Sequence, residues 1–585
     1  MAVRGEGRGS TQRPGSLGRD VVYPLEVALA RLSPRARRAL AMAGAAALLA
    51  GVVVGATQVS SEREVVQRYL SAWEEGDHLA MHRLLTPEAR RAVSRDEFRA
   101  HMRAALVTAT ATDLTVDDLE VEGDRARARV TVETRAFGTV REPISLGLQE
   151  ADDGPRVAWR EHHVFPGVRP GQKLQRDTRL PERAALQARD GTLLARGPTR
   201  TSELGAVTGA VVGRLGAIPP ERADRLAALG WPPDAQVGVS GLERAFDERL
   251  MGRPGGVLRA GERPLARSTP RPAEPVRTSV SVPVQRASVD ALAGRLGGVL
   301  ALDPRSGEVL GTAGIALDGL QPPGSTFKVV TLAGALESGI TEVGESFPVQ
   351  TAATLEGVEL QNADSEPCGG SLTVSFARSC NSVFAPLGAE LGARRLVAEA
   401  EDFGFNAPTA IPGAAISTLP PAGEIGDDLA VGATAIGQGR VQATTLQMAL
   451  VAATIAREGV LPRPTFRPGA PAEGVRAVRR EVAAVIGRLM VAVVSDGTGQ
   501  AAALPGVEVA GKTGTAELRS TQGCAAACPG GGPADTDAWF LAYAPERDPR
   551  VAVAVLLVGS GSGGETAAPA ARGVLGTGLQ TTAGD

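Results

Sequence analysis

The chain has 585 residues, 43% of them hydrophobic, with 62 basic against 65 acidic residues and a formal net charge of −3. Such a length exceeds one core and implies three or four domains, because domains run to about 100–200 residues. The balanced charge gives no sign of the concentrated basic face that would favour nucleic-acid binding.

Residues 1–38 are rich in Gly, Arg and Pro and read as a disordered cytoplasmic tail. The stretch 39–59 carries no charge and is long enough to span a bilayer as a helix. Arg31, Arg35, Arg37 and Arg38 precede it, so the positive-inside rule predicts a cytoplasmic N-terminus, a single-pass plasma-membrane anchor and an extracytoplasmic remainder.

Residues 60–165 predict one α+β domain. Val65, Tyr69 and Trp73 recur at helical spacing, and Ser94 with Glu97 forms a capping box. The period then switches to two, where Ala126, Ala128, Val130 and Val132 alternate with arginines. Further strands are expected around 144–148 and 157–159. Residues 166–280 are loop- and proline-rich, and contain Lys173 in a solvated setting. From 281 to 585 an α/β pattern takes over. A strand at Gly297–Asp303, a turn at 304–307 and a return strand at 308–310 lead to Pro322-Pro323-Gly324-Ser325, a strong helix start.

Two scarcities narrow the chemistry. All five histidines lie at or before His163, so a Ser-His-Asp site in the C-terminal half is excluded. Only three lysines occur, Lys173, Lys328 and Lys512. A site that needs a neutral amine cannot use arginine, which stays protonated in proteins. The four cysteines, Cys368, Cys380, Cys524 and Cys528, lack accompanying histidines and zinc spacing. One or two disulfides fit an extracytoplasmic half. The short Ala/Gly loop favours Cys524 with Cys528, but sequence alone leaves the connectivity open.

Ser325-Thr326-Phe327-Lys328 is predicted to open a helix running to Glu337, which stacks Lys328 beside Ser325 at i, i+3. A serine hydroxyl becomes a nucleophile when a neighbouring base takes its proton. A second cation and the positive helix end would lower the lysine pKa. Ser379-Cys380-Asn381 falls between two apolar helical stretches, where Ser379 suits a proton relay and Asn381 suits holding a carbonyl and Lys328. Lys512-Thr513-Gly514-Thr515 lies in a predicted strand. There Lys512 supplies a cation, Gly514 clears room for a substrate strand, and the Ser325 and Thr515 N–H groups serve as oxyanion donors. Simple alternation places the lysine and the threonines on opposite faces, so a twist or bulge is expected.

Together these elements match, in order and approximate spacing, the Ser-x-x-Lys, Ser-x-Asn, Lys-Thr-Gly set that is a standard example for penicillin-binding proteins and related β-lactamases. Gly437-Gln-Gly439 and Asp537-Ala-Trp-Phe540 strengthen the match. The chain thus resembles a class B penicillin-binding protein. Arg183, Arg189-Asp190-Gly191 and Gly241-Leu242-Glu243 resemble markers of that family's pedestal, or dimerisation-like, region. The 60–165 pattern resembles the nuclear-transport-factor-2-like domain of MecA-type members. The resemblance implies an antiparallel sheet flanked by helices on both sides and a peptidoglycan D,D-transpeptidase acting through a serine acyl-enzyme. It implies Thr513 and Thr515 as carboxylate binders, stem peptides and β-lactams as ligands, a polytopic glycan polymerase as partner, and no metal or organic cofactor. The alternatives are a D,D-carboxypeptidase or a non-catalytic scaffold of the wall-synthesis complex.

Overall fold

The computed structural model describes residues 61–518 and 535–582. The expected 1–38 tail, 39–59 anchor and Cys524–Cys528 pair lie outside the described residues. Among the described residues, no helix is long and apolar enough to cross a membrane.

Helix α1 (Ser61–Glu75) buries Val65, Tyr69 and Trp73, the face set by their spacing. Helices α2 (His78–Arg83) and α3 (Pro87–Ala92) lead to α4 (Arg95–Ala109). The α4 capping box forms as expected: Glu97 N donates to Ser94 Oγ at 3.3 Å, and Ser94 N donates to Glu97 Oε2 at 2.9 Å. Strands β1 (Ala111–Glu122), β2 (Arg125–Thr134), β3 (Gly138–Ala151) and β4 (Gly154–Ala158) form an antiparallel sheet in chain order. In β2 the small apolar residues are buried and the arginines between them exposed. Strands β5 (Leu174–Arg179), β6 (Gly255–Ala260) and β7 (Arg263–Ser268) form a second sheet, and Leu258 and Ala260 of β6 join the core of the first.

The markers noted near residues 183 and 243 meet in space. Arg183 bonds Glu243 and Asp247, each at 2.7 Å, Arg200 bonds the other Glu243 oxygen at 2.6 Å, and Arg222 bonds Asp247. Glu243 and Asp247 are buried, so each carboxylate needs these partners to offset its desolvation.

The C-terminal region supplies α5 (Val282–Leu292), β8 (Gly297–Leu302), β9 (Val309–Gly314), α6 (Lys328–Glu337), α7 (Leu372–Ala377), α8 (Asn381–Asp402), α9 (Thr445–Ala456), α10 (Arg480–Ser495), β10 (Ala510–Glu517), β11 (Thr536–Ala544), β12 (Val551–Leu557) and α11 (Ala568–Thr582). The five strands form one antiparallel sheet in the order β9-β8-β12-β11-β10. Leu300, Leu541 and Leu556 pack on one face with Val329, Phe384 and Leu446. Val299, Phe540 and Val555 pack on the other with Val284 of α5 and Val574 of α11. Burial on both faces explains why β12 is an unbroken apolar run, VAVAVLL. β10 is the outermost strand, which leaves one of its edges unpaired in the sheet.

Candidate active site

Pro322-Pro323 presets the approach to Ser325. The expected helix starts differently from its prediction: Gly324–Phe327 is a 3₁₀ turn, and the α-helix proper begins at Lys328. The cause is a wedge. Gly324 N donates to Gly437 O at 2.9 Å on one side. On the other, a Cβ at Gly324 would stand 2.7 Å from Thr515 O. The turn therefore tightens between two backbones.

Lys328 is fully buried. Its amine donates to Ser379 O and Asn381 Oδ1, each at 2.7 Å, and lies 3.3 Å from Ser379 Oγ. These contacts, and none to Ser325, are the hydrogen bonds of its amine to described residues. A neutral amine has two donors, which match the two short bonds, and keeps a lone pair for a hydroxyl proton. Lys512, also fully buried, donates to the same Ser379 Oγ at 2.8 Å and to Thr513 O at 3.0 Å. Ser379 Oγ thus joins the two amines. The Phe384 and Phe376 rings lie 5.7 and 5.6 Å from the Lys328 and Lys512 nitrogens.

Burial is the main electrostatic lever here, ahead of the second cation that sequence reasoning put first. It drives the Lys328 pKa well below the usual lysine range, and the Lys512 charge adds to the shift. Burial also lowers Lys512 to about 7.

The relay turn has a constraint that sequence spacing did not predict. Ser379 has φ +62, in the left-handed region that costs a non-glycine residue energy. The next residue, Cys380, is disulfide-bonded to Cys368, with their Cα atoms 5.4 Å apart. Asn381 Nδ2 donates to Gln361 O at 2.7 Å, which fixes the amide so that Oδ1 faces Lys328. The turn is short: Asn381 is already the first residue of α8.

Strand β10 carries the third element without a bulge. Its register with β11 is unbroken from Ala510↔Tyr543 to Glu517↔Thr536. Of the twist or bulge expected here, the bulge is absent, and β10 lies at the edge of the sheet. Gly514 is also required from within the fold: a Cβ there would stand 2.9 Å from Pro323 O and 2.9 Å from Thr326 Cγ2, in the nucleophile turn. Thr513 Oγ1 lies 2.5 Å from Thr498 Oγ1, and Thr515 Oγ1 accepts from Gly563 N at 3.3 Å. Sequence reasoning missed Thr498. Its only signal was a threonine between two glycines ahead of the lysine strand.

The buried lysine pair on one serine, set at the edge of a helix-covered antiparallel sheet, defines a class. The penicillin binding protein transpeptidase domain family matches residues 297–576, and the penicillin-binding protein dimerisation domain family matches 171–260. The chain belongs to the class B penicillin-binding proteins. Among individual proteins, it is 34% identical over 418 residues to peptidoglycan D,D-transpeptidase PbpA of Mycolicibacterium smegmatis, covering 58% of this chain and 80% of the relative. It is similar to penicillin-binding protein A of M. tuberculosis, solved as a ceftriaxone acyl-enzyme complex, with TM-score 0.54 and 29% identity over 68% of this chain and 98% of that one. It is also similar to the D,D-transpeptidase domain of a peptidoglycan glycosyltransferase from Eggerthella lenta, with TM-score 0.55 and 28% identity over 69% and 99%.

Proposed function

We infer that this chain is a serine-type peptidoglycan D,D-transpeptidase that β-lactams acylate. The observation that carries the reading is the fully buried Lys328 amine, held by Ser379 and Asn381 and bridged to Lys512 through the Ser379 hydroxyl. In the reaction, Ser325 Oγ attacks the penultimate D-Ala carbonyl of a stem peptide, and neutral Lys328 takes its proton. The tetrahedral oxyanion accepts from the Ser325 and Thr515 N–H groups. For Thr515 the support is positional: its carbonyl faces the nucleophile turn, and within a strand a residue's N–H points to the same side as its C=O. Ser379 passes a proton to the departing D-Ala amine. Lys512 and Thr513 hold the terminal carboxylate, with Thr515 beside them. An amine from a neighbouring stem then attacks the acyl-enzyme and restores Ser325.

Outside this site, the helices followed by a four-stranded antiparallel sheet support a nuclear-transport-factor-2-like N-terminal domain. The uncharged 39–59 stretch supports a membrane anchor with the catalytic domain outside, beside a polytopic glycan polymerase. The test of transfer is a stem pentapeptide ending in D-Ala-D-Ala, given with and without an amine acceptor. A cross-linked product that disappears in Ser325→Ala is expected. Release of D-Ala by hydrolysis alone would overturn the transferase reading.

A further inference from the structure

The Asp537-Ala-Trp-Phe540 segment has no role in the chemistry above, yet Trp539 touches the part of the fold that sets the nucleophile. Resting on the transpeptidase reading, we propose that Trp539 is a positioning residue for Ser325: its indole N–H fixes the Pro322 carbonyl and so sets the nucleophile turn against the edge of β10.

Gln321 N donates to Ala443 O at 3.1 Å, and the next available donor is Gly324 N, bonded to Gly437 O. Pro322 and Pro323 have no N–H, so the segment between those points can be anchored only through its carbonyls. Pro323 O is taken locally by Thr326 Oγ1 at 2.6 Å. Pro322 O is taken by Trp539 Nε1 at 2.9 Å, a bond across 217 positions of sequence and, among the described residues, the one hydrogen bond from these prolines to the sheet.

The sheet geometry makes that tie rigid. Trp539 pairs directly with Gly514 across β10 and β11, and paired residues project on the same face. Gly514 has no side chain, so the indole and the turn meet over its Cα, where a Cβ would strike Pro323 O and Thr326. The indole is fully buried, so it has little freedom to move. The carbonyl of Pro322 is thus referenced to the same strand pair that places Lys512 and Thr515. A nucleophile displaced by about 1 Å can lose on the order of a hundredfold in rate.

The test uses the full-length protein and a fluorescent penicillin, with the acylation rate constant separated from the initial dissociation constant by varying concentration. Two variants are compared: Trp539→Phe, and Trp539 replaced by benzothienylalanine, which keeps the bicyclic shape and puts sulfur where the N–H was. The expected result, in folded protein, is an acylation rate constant lower by roughly tenfold or more with the dissociation constant nearly unchanged. A merely structural role would lower the melting temperature and leave the rate constant of the folded fraction as it was, and that outcome overturns the proposal. A wild type that is never acylated overturns the transpeptidase reading itself, and the positioning role with it.

Discussion

Charge alone does not explain a lysine at position 328, since an arginine would supply charge without ever becoming a base. The amine is fully buried, and its pKa is pushed down by that burial and then by Lys512. A guanidinium remains protonated, so Lys328→Arg is expected to lower penicillin acylation by about a thousandfold, the scale of losing a general base. Stopped-flow acylation checks this, and near-normal rates would remove Lys328 from the base role. Thr498 offers a second residue-level prediction. Two hydroxyls 2.5 Å apart can each donate to one carboxylate once a ligand arrives. Thr498→Val is expected to weaken binding of a carboxylate-bearing β-lactam about tenfold, in line with roughly 1.5 kcal/mol for a hydrogen bond to a charged group. Thr498→Ser should restore it, and equal binding by all three would show the pair to be uninvolved. The residues legible in the sequence were those in short motifs or of scarce type, such as Ser325, Lys328 and Lys512. The contacts of Thr498 and Trp539 were not, because their partners are Thr513 on a separate element and Pro322 far upstream.

At the scale of elements, the helix carrying Lys328 rests on an unusual neighbour. Glu399 of α8 is buried, its Oε1 has no hydrogen-bond partner among the described residues, and its side chain packs on Gly334 of α6. Burial, aided by Glu337 and Asp402, raises its pKa to about 8. Between its ordinary value of 4.5 and about 8, the folded protein holds a proton that the unfolded chain has released. Stability is therefore lost as pH rises across that window. Glu399→Gln mimics the protonated form, so thermal melts should show it stabilised at pH 8 and little changed at pH 4.5. Equal effects at both pH values would contradict the assignment. The relay turn predicts a second effect. Joining Cys368 to Cys380 closes a short loop, a constraint of about 3 kcal/mol, beside a serine held in a left-handed conformation. Replacing both cysteines by alanine should lower the melting temperature and slow acylation together. A lower melting temperature with an unchanged acylation rate would limit the disulfide to stability. Neither feature could be read from periodicity. For β10, where alternation calls for a twist or a bulge, the register holds no bulge; the strand's period is visible in the sequence, but its place at the sheet edge is not.

For the whole molecule, the order of elements was legible and their joints were not. The period-two arginines of β2, the hairpin of β8 and β9, and the apolar run of β12 each announced a strand through local pattern. The sharing of a core between β6 and the N-terminal helices was silent, because it depends on which surfaces meet. The same holds for the Arg183, Glu243 and Asp247 cluster, whose members were visible only as separate markers. The proposed reaction as a whole turns on one atom, Ser325 Oγ. Incubation of the full-length protein with benzylpenicillin, followed by intact mass measurement and peptide mapping, tests it most directly. One adduct of the full penicillin mass is predicted, on the peptide containing Ser325 and absent from Ser325→Ala. No adduct on the wild type, or an adduct on any other residue, would contradict it.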